Sequence, residues 1–179
     1  MSSDWIVVVG MVAAVVVVST VVIAFMVQDQ LRRQEPFKEL AAQHGWAYRF
    51  TDVAVGRSVP GVPMAGRPSY RHVMTGRYRG HEILVLQAAV YNVDPPGPDE
   101  CWHAVAIRDL PPGQGPTAVA ALSGPGPAHT VVGGGQLVHR QFGRLVVDDV
   151  VPRLDRVVEA LERAPGPDAA SASPPGGDG

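Results

Sequence analysis

Residues 69–93 read SYRHVMTGRYRGHEILVLQAAVYNV. Two runs rich in Val, Tyr, Ile and Leu flank Arg79-Gly80, and β-branched and aromatic runs on either side of a Gly-containing turn predict a β-hairpin. The stretch CWHAVAIRDL (101–110) predicts a further strand, with Cys101, His103, Val105 and Ile107 on one face and Trp102, Ala104, Ala106 and Arg108 on the other. WAYRF (46–50) alternates large residues as a strand does. Residues 117–122 and 129–132 are minor strand candidates, and GQLVHRQFGRLVV (135–147) reads as a last strand broken at Gly143. The chain closes its folded part with DDVVPRLDRVVEALER (148–163), where Val150, Leu154, Val157, Val158 and Leu161 form one apolar stripe at helical spacing. Asp148 or Asp149 is expected to cap that helix, with Pro152 in its first turn. The expected fold is α+β: a mainly antiparallel sheet, a short helix before it and an amphipathic C-terminal helix over it.

Working outward, the N-terminal side holds a different kind of segment. From Trp5 to Val27 there are 23 residues without a charge. As a helix they span about 34 Å, enough to cross a hydrocarbon core of about 30 Å. A cleaved signal peptide is the rival reading, with Val22-Ile23-Ala24 as its cleavage site. Against it, Met1-Ser2-Ser3-Asp4 contains no Lys or Arg, and the apolar run exceeds the usual span of roughly 7–15 residues. Trp5 stands where an interfacial aromatic belongs, and Arg32, Arg33 and Lys38 follow the span while only Asp4 precedes it. Positive charge favours the cytoplasmic side, so the domain is expected in the cytoplasm at the plasma membrane, with an exported domain as the alternative. Gly10 and Ala14 are four apart, a spacing that suits a helix–helix contact but that chance explains more simply in a segment this rich in small residues.

The expected organisation is therefore an extracytoplasmic terminus at 1–4, a transmembrane helix at 5–27, a polar juxtamembrane linker at 28–35, an α+β domain at 36–163 and a disordered tail at 164–179. Within the domain, Pro36 suits the first turn of a helix over 36–44, with Phe37, Leu40, Ala41 and His44 on one face and Gly45 at its stop. Residues 55–69 hold too many Gly and Pro for regular structure, and 92–100 form an acidic, proline-rich loop. The tail is rich in Pro, Gly, Ala and Ser and has almost nothing to bury.

FKELAAQHGWAYRFTD (37–52) and GVPMAGRPSYRHVMTGRYRGHEILVLQAAVYN (61–92), followed by a strand ending in Leu110-Pro111, resemble a group of uncharacterised actinobacterial membrane-anchored or secreted proteins. The shared motifs are His44-Gly45-Trp46-Ala47-Tyr48 and Gly76-Arg77-Tyr78-Arg79-Gly80; Pro63-Met64 stands where that group tends to have Pro-Phe. The resemblance spans about residues 37–163 and implies a shared domain and a high-GC Gram-positive source, with no activity attached. Fourteen of the fifteen basic residues are Arg, which fits the same codon bias.

The residues that carry chemistry elsewhere form no complete set here. Net charge is −2, which argues against a nucleic-acid footprint. Cys101 is the single cysteine, so neither an intrachain disulfide nor a multi-Cys zinc site is expected. Cys101 and His103 share a strand face, but side chains two apart stand about 7 Å from one another, too far for a thiol–imidazole hydrogen bond. The six histidines show no metal-ligand spacing, and Gly133-Gly134-Gly135 lacks the residues that would make it a phosphate loop. Arg49, Arg71, Arg77, Arg79 and Arg108 are able to line one face with Trp46, Tyr48 and Tyr78 between them; a solvated sheet face explains them more simply than contact with anionic lipid. No catalytic, cofactor-binding or metal-ligating residues are assigned, and no cofactor is expected. The expected function is a non-catalytic binding or scaffolding domain held at a membrane, facing a protein partner or an anionic lipid surface. A small thiol-dependent enzyme using Cys101 is the alternative.

Overall fold

The computed structural model describes residues 3–61, 67–91, 100–111, 113–123 and 128–164, with backbone alone for 3–7, 67, 91 and 100. The expectations for the loop at 92–100 and the tail at 164–179 lie outside these residues, apart from Glu100, which opens a strand, and Ala164, which is buried. In chain order the elements are α1 (Ser3–Gln43), β1 (Ala47–Thr51), α2 (Val53–Arg57), β2 (Arg67–Tyr78), β3 (His81–Tyr91), β4 (Glu100–Ile107), α3 (Gly115–Leu122), β5 (Ala128–Gly133), β6 (Gln136–Phe142) and α4 (Val147–Glu162).

The strands form one six-stranded sheet in the order β1-β2-β3-β4-β6-β5, and each neighbouring pair is antiparallel. The β2–β3 hairpin turns at Arg79 and Gly80, both with positive φ, the backbone shape a two-residue hairpin turn needs. After β4 the chain passes through α3 to the edge as β5, then returns as β6 beside β4. Alternation puts two apolar faces on the sheet. Met74, Ile83, Val85, Val105, Ile107 and Leu137 face the helices, where Phe37 and Ala41 of α1, Ala118 and Leu122 of α3 and the α4 stripe close the main core. Val73, Leu84, Leu86, Ala104, Ala106 and Val138 face the other way, beneath Val59, Tyr70 and Val55. The α+β architecture holds, and Val150, Leu154, Val157, Val158 and Leu161 of α4 are all buried.

Several local expectations are corrected. Residues 28–35, expected as a juxtamembrane linker, are helical, continuous with both the apolar run and the helix expected from Pro36. Asp29–Arg33 and Glu35–Lys38 ion pairs, at 2.8 Å each, brace this stretch at helical spacing. Pro36 therefore lies inside α1 on its exposed side, where the one hydrogen bond it removes costs least. Residues 115–122, expected in part as a strand, form α3, with Pro116 in its first turn and Ala118 and Leu122 buried one turn apart. A short helix, α2, stands at the start of the stretch expected to be irregular, capped by Asp52, whose side chain accepts from Val55 N at 3.0 Å. Neither Asp148 nor Asp149 caps α4: its N-cap is Val146 without a side-chain bond, and Pro152 lies beyond the first turn. The five strand arginines do not share a face. Register places Arg49 opposite Val73 on the side away from the helices, with Arg77 and Arg108 on that side too, Arg71 on the helix side and Arg79 in the turn.

The two motifs that carry the resemblance pack on each other. The Trp46 ring lies against Gly76, so close that a Cβ there would fall 2.4 Å from Trp46 Cδ1. Trp46 Nε1 donates to the Arg77 carbonyl at 3.0 Å, and His44 stacks on Trp46 at 4.5 Å. Both motifs thus serve packing between β1 and β2.

Val8–Gln43 of α1 is long and apolar enough to cross a membrane, and none of its most apolar part is buried in the domain. An apolar helix with no protein cover suits lipid, where its backbone is satisfied internally.

Candidate functional site

α1 and α4 cover the same face of the sheet, and a cleft of about 680 Å³ opens between α1 and the connector leading into α4. Its walls are Arg33 and Phe37 from α1, Arg71 and His72 from β2, Gln87 and Ala89 from β3, Cys101 from β4, and Phe142 to Leu145. These residues lie at the end of the sheet from which α1 runs back toward its apolar segment.

Each wall has a local cause. The β2–β3 register shifts between Arg71 and Met74, a bulge that gives His72 a φ of 50° and re-aims its ring. The ring packs 4.2 Å from Phe37 of α1, and its Nδ1 lies 3.1 Å from Tyr48 Oη. Opposite, the connector is pinned to the sheet at three points. Gly143 N donates to the Cys101 carbonyl at 2.8 Å, Leu145 N donates to Gln87 Oε1 at 3.0 Å, and His103 Nδ1 lies 3.1 Å from the Gly143 carbonyl. Gly143, at φ +116°, takes the backbone bend that turns β6 toward α4.

Among the described residues, the charge lining the cleft is positive. Arg33, Arg71 and Arg144 bring three guanidinium groups to the cleft, and among the described residues no carboxylate lines it. Arg33 pairs with Asp29, but both side chains are more than half exposed, and such pairs hold weakly. Arg144 is exposed and makes no ion pair among the described residues.

Three histidines nearby are held neutral. Burial, reinforced by the Arg71 charge, brings the His72 imidazole down to about 4. Burial also lowers His103 and His139, which lie under α4 beside Arg153. The unfolded chain takes up these protons near the ordinary value of 6.5, whereas the folded domain resists them. The unfolded state therefore binds more protons between pH 6.5 and about 4, and stability falls as pH falls through that window. The melting temperature is expected to be lower at pH 5 than at pH 7.5, with a smaller slope in His72→Asn, which keeps a residue tolerant of positive φ. A melting temperature that is flat or rises toward pH 5 would contradict this.

Of the residues singled out from sequence, Arg33 lines the cleft; Arg32 and Lys38 stand on α1 outside it, and the Trp5 side chain lies outside the described residues. Cys101 is in the cleft wall, while His103 on the same strand is buried, its Nδ1 engaged with Gly143 rather than with the thiol. Among the described residues no cluster of three His, Cys, Asp or Glu side chains is arranged to hold a metal ion. Sequence reading missed Arg144, Gln87 and the convergence of Arg33 with Arg71, because positions 33, 71, 87 and 144 meet only through the tertiary fold. No protein family, curated protein or solved structure matches this chain.

Proposed function

We propose that this chain is a single-pass membrane-anchored protein whose domain is a non-catalytic binding module, and that the module takes a phosphate-bearing anionic headgroup in the cleft beside α1. One observation carries this reading: in a chain of net charge −2, three guanidinium groups and no described carboxylate line a cleft built partly from the anchor helix itself. Guanidinium matches phosphate through paired, charge-assisted hydrogen bonds. Phe37 and Leu145 give the same cleft an apolar side suited to the glycerol end of a lipid. Height supports a lipid source. Arg33 is six residues beyond Val27, about 9 Å along a helix, which puts its backbone just past a headgroup layer of about 5–8 Å and its long side chain within reach of that layer.

Cys101, the chain's single thiol, reports on occupancy. The full chain is reconstituted in nanodiscs of phosphatidylcholine, with and without phosphatidylglycerol, and alkylation by uncharged N-ethylmaleimide is followed. Anionic lipid is expected to slow the reaction about threefold or more, and Arg144→Glu to restore the rate. Protection in neutral discs by added glycerol 3-phosphate would assign the site to a soluble phosphate ester instead. Equal rates under all conditions would contradict an anion site.

The flanking charges, Arg32, Arg33 and Lys38 against Asp4, support a cytoplasmic domain at the plasma membrane. An impermeant maleimide should then leave Cys101 unlabelled until cells are lysed; labelling of intact cells would favour the exported alternative. The place of Cys101 in the cleft wall supports, as a second reading, thiol chemistry there. Alkylation much faster than that of free cysteine near neutral pH would favour that reading. The actinobacterial source stays a proposal resting on the motifs around Trp46 and Gly76.

A further inference from the structure

The connector between β6 and α4 reads Phe142-Gly143-Arg144-Leu145-Val146 and alternates what it shows. Leu145 is buried, whereas Phe142 is 50% and Val146 51% exposed, with Arg144 exposed between them. Elsewhere the domain keeps few large apolar side chains this open: Val53 and Val132 are the others among the described residues outside α1. Phe142 is held outward by an edge contact with Trp102, at 5.2 Å between ring centroids. The connector itself is fixed by the bonds from Gly143 and Leu145 to the sheet, so its exposed side chains are presented by a rigid backbone.

Its position says what it would meet. Arg144 shares the cleft wall with Arg33, and Phe142 stands at the same end of the sheet, the end nearest the apolar run of α1, with its ring beside Trp102 on the other face. That run ends about 9 Å from Arg33, and membrane helices tilt by about 20° on average, which carries one side of an attached domain toward the headgroups. An aromatic ring, a guanidinium and a small apolar side chain in succession are the side chains that an interfacial layer accepts.

We propose that Phe142–Val146 is a second membrane contact, with Phe142 and Val146 entering the interfacial layer and Arg144 pairing with lipid phosphate. The inference rests on the anchor reading of α1, and it adds an apolar contact that does not depend on the cleft being filled by an anionic lipid. With α1 it would fix the domain at two points, holding the cleft mouth against the bilayer.

The test uses the full chain in phosphatidylcholine nanodiscs on a Cys101→Ser background. An environment-sensitive fluorophore is attached at Phe142→Cys, at Val146→Cys and, as a control, at Val132→Cys. Val132 pairs with Leu137 at the opposite end of β6, five residues or about 16 Å from Phe142 along the strand. A lipid with a nitroxide near its headgroup is the quencher. Quenching at 142 and 146 is expected to exceed that at 132 by about threefold or more. Equal quenching at all three positions would overturn the contact, and a chain that does not copurify with the discs would overturn it together with the anchor. Loss of the quenching contrast while anionic lipid still protects Cys101 would sink the contact alone; the converse would sink the cleft ligand alone.

Discussion

Gly56→Ala is expected to destabilise the domain by about 3 kcal/mol, lowering its melting temperature by about 10 °C. A Cβ at Gly56 would fall 2.1 Å from Tyr70 Cγ and 2.4 Å from both Cδ atoms, directly on the ring face. The ring has nowhere to go, since Tyr70 is wholly buried and its backbone pairs with Ala88 in the sheet. α2 would have to lift from the sheet instead, uncovering Leu84, Leu86 and Ala104 of the second core. Near-UV circular dichroism of the full chain in detergent reads the transition. Gly56→Ala combined with Tyr70→Leu should lose less than the two single changes added together, because the smaller side chain removes the clash. A melting temperature unchanged in Gly56→Ala would show that α2 does not sit on Tyr70 as described.

Leu154→Ala is expected to cost a comparable amount, about 3 kcal/mol, through the cavity it leaves. Leu154 is wholly unexposed at the centre of the α4 stripe, in the core shared by the sheet, α1 and α3. Arg156→Ala, on the exposed face of the same helix, should change stability little. Loosening α4 also loosens the connector before it, which forms the cleft wall through Gly143, Arg144 and Leu145. Leu154→Ala should therefore weaken the protection of Cys101 by anionic lipid as well as stability. Urea titration against the Arg156→Ala control measures the first effect; equal midpoints for the two variants would contradict the packing of α4.

What was legible in the sequence is what local periodicity encodes. The α4 stripe, the alternation of β4 and the turn at Arg79-Gly80 each state their geometry within a few residues, and each stands where expected. Reading failed where a short apolar run fits both periods. Thr117 to Leu122 passes for a strand, and the deciding signal, Pro116 at a helix start, is a single residue. It failed again in α1, where polarity at 28–35 suggested a linker although Asp29–Arg33 and Glu35–Lys38 are spaced for a helix. That difference matters, because in the proposed reading of α1 as an anchor a continuous helix sets the height of the cleft. The cleft was not legible at all. Arg33, Arg71 and Arg144 belong to a helix, a bulge and a connector, and the bulge at His72 has no local signature that would predict it.

The central claim is that an anionic lipid occupies the cleft beside the anchor helix, and native mass spectrometry of the full chain tests it most directly. The chain is released from nanodiscs of mixed phosphatidylcholine and phosphatidylglycerol, and the lipid it retains is identified. The account predicts one retained anionic lipid, enriched over its share of the bilayer and lost in Arg144→Glu. Retention of no lipid, or of lipids in the proportions of the disc, would contradict it.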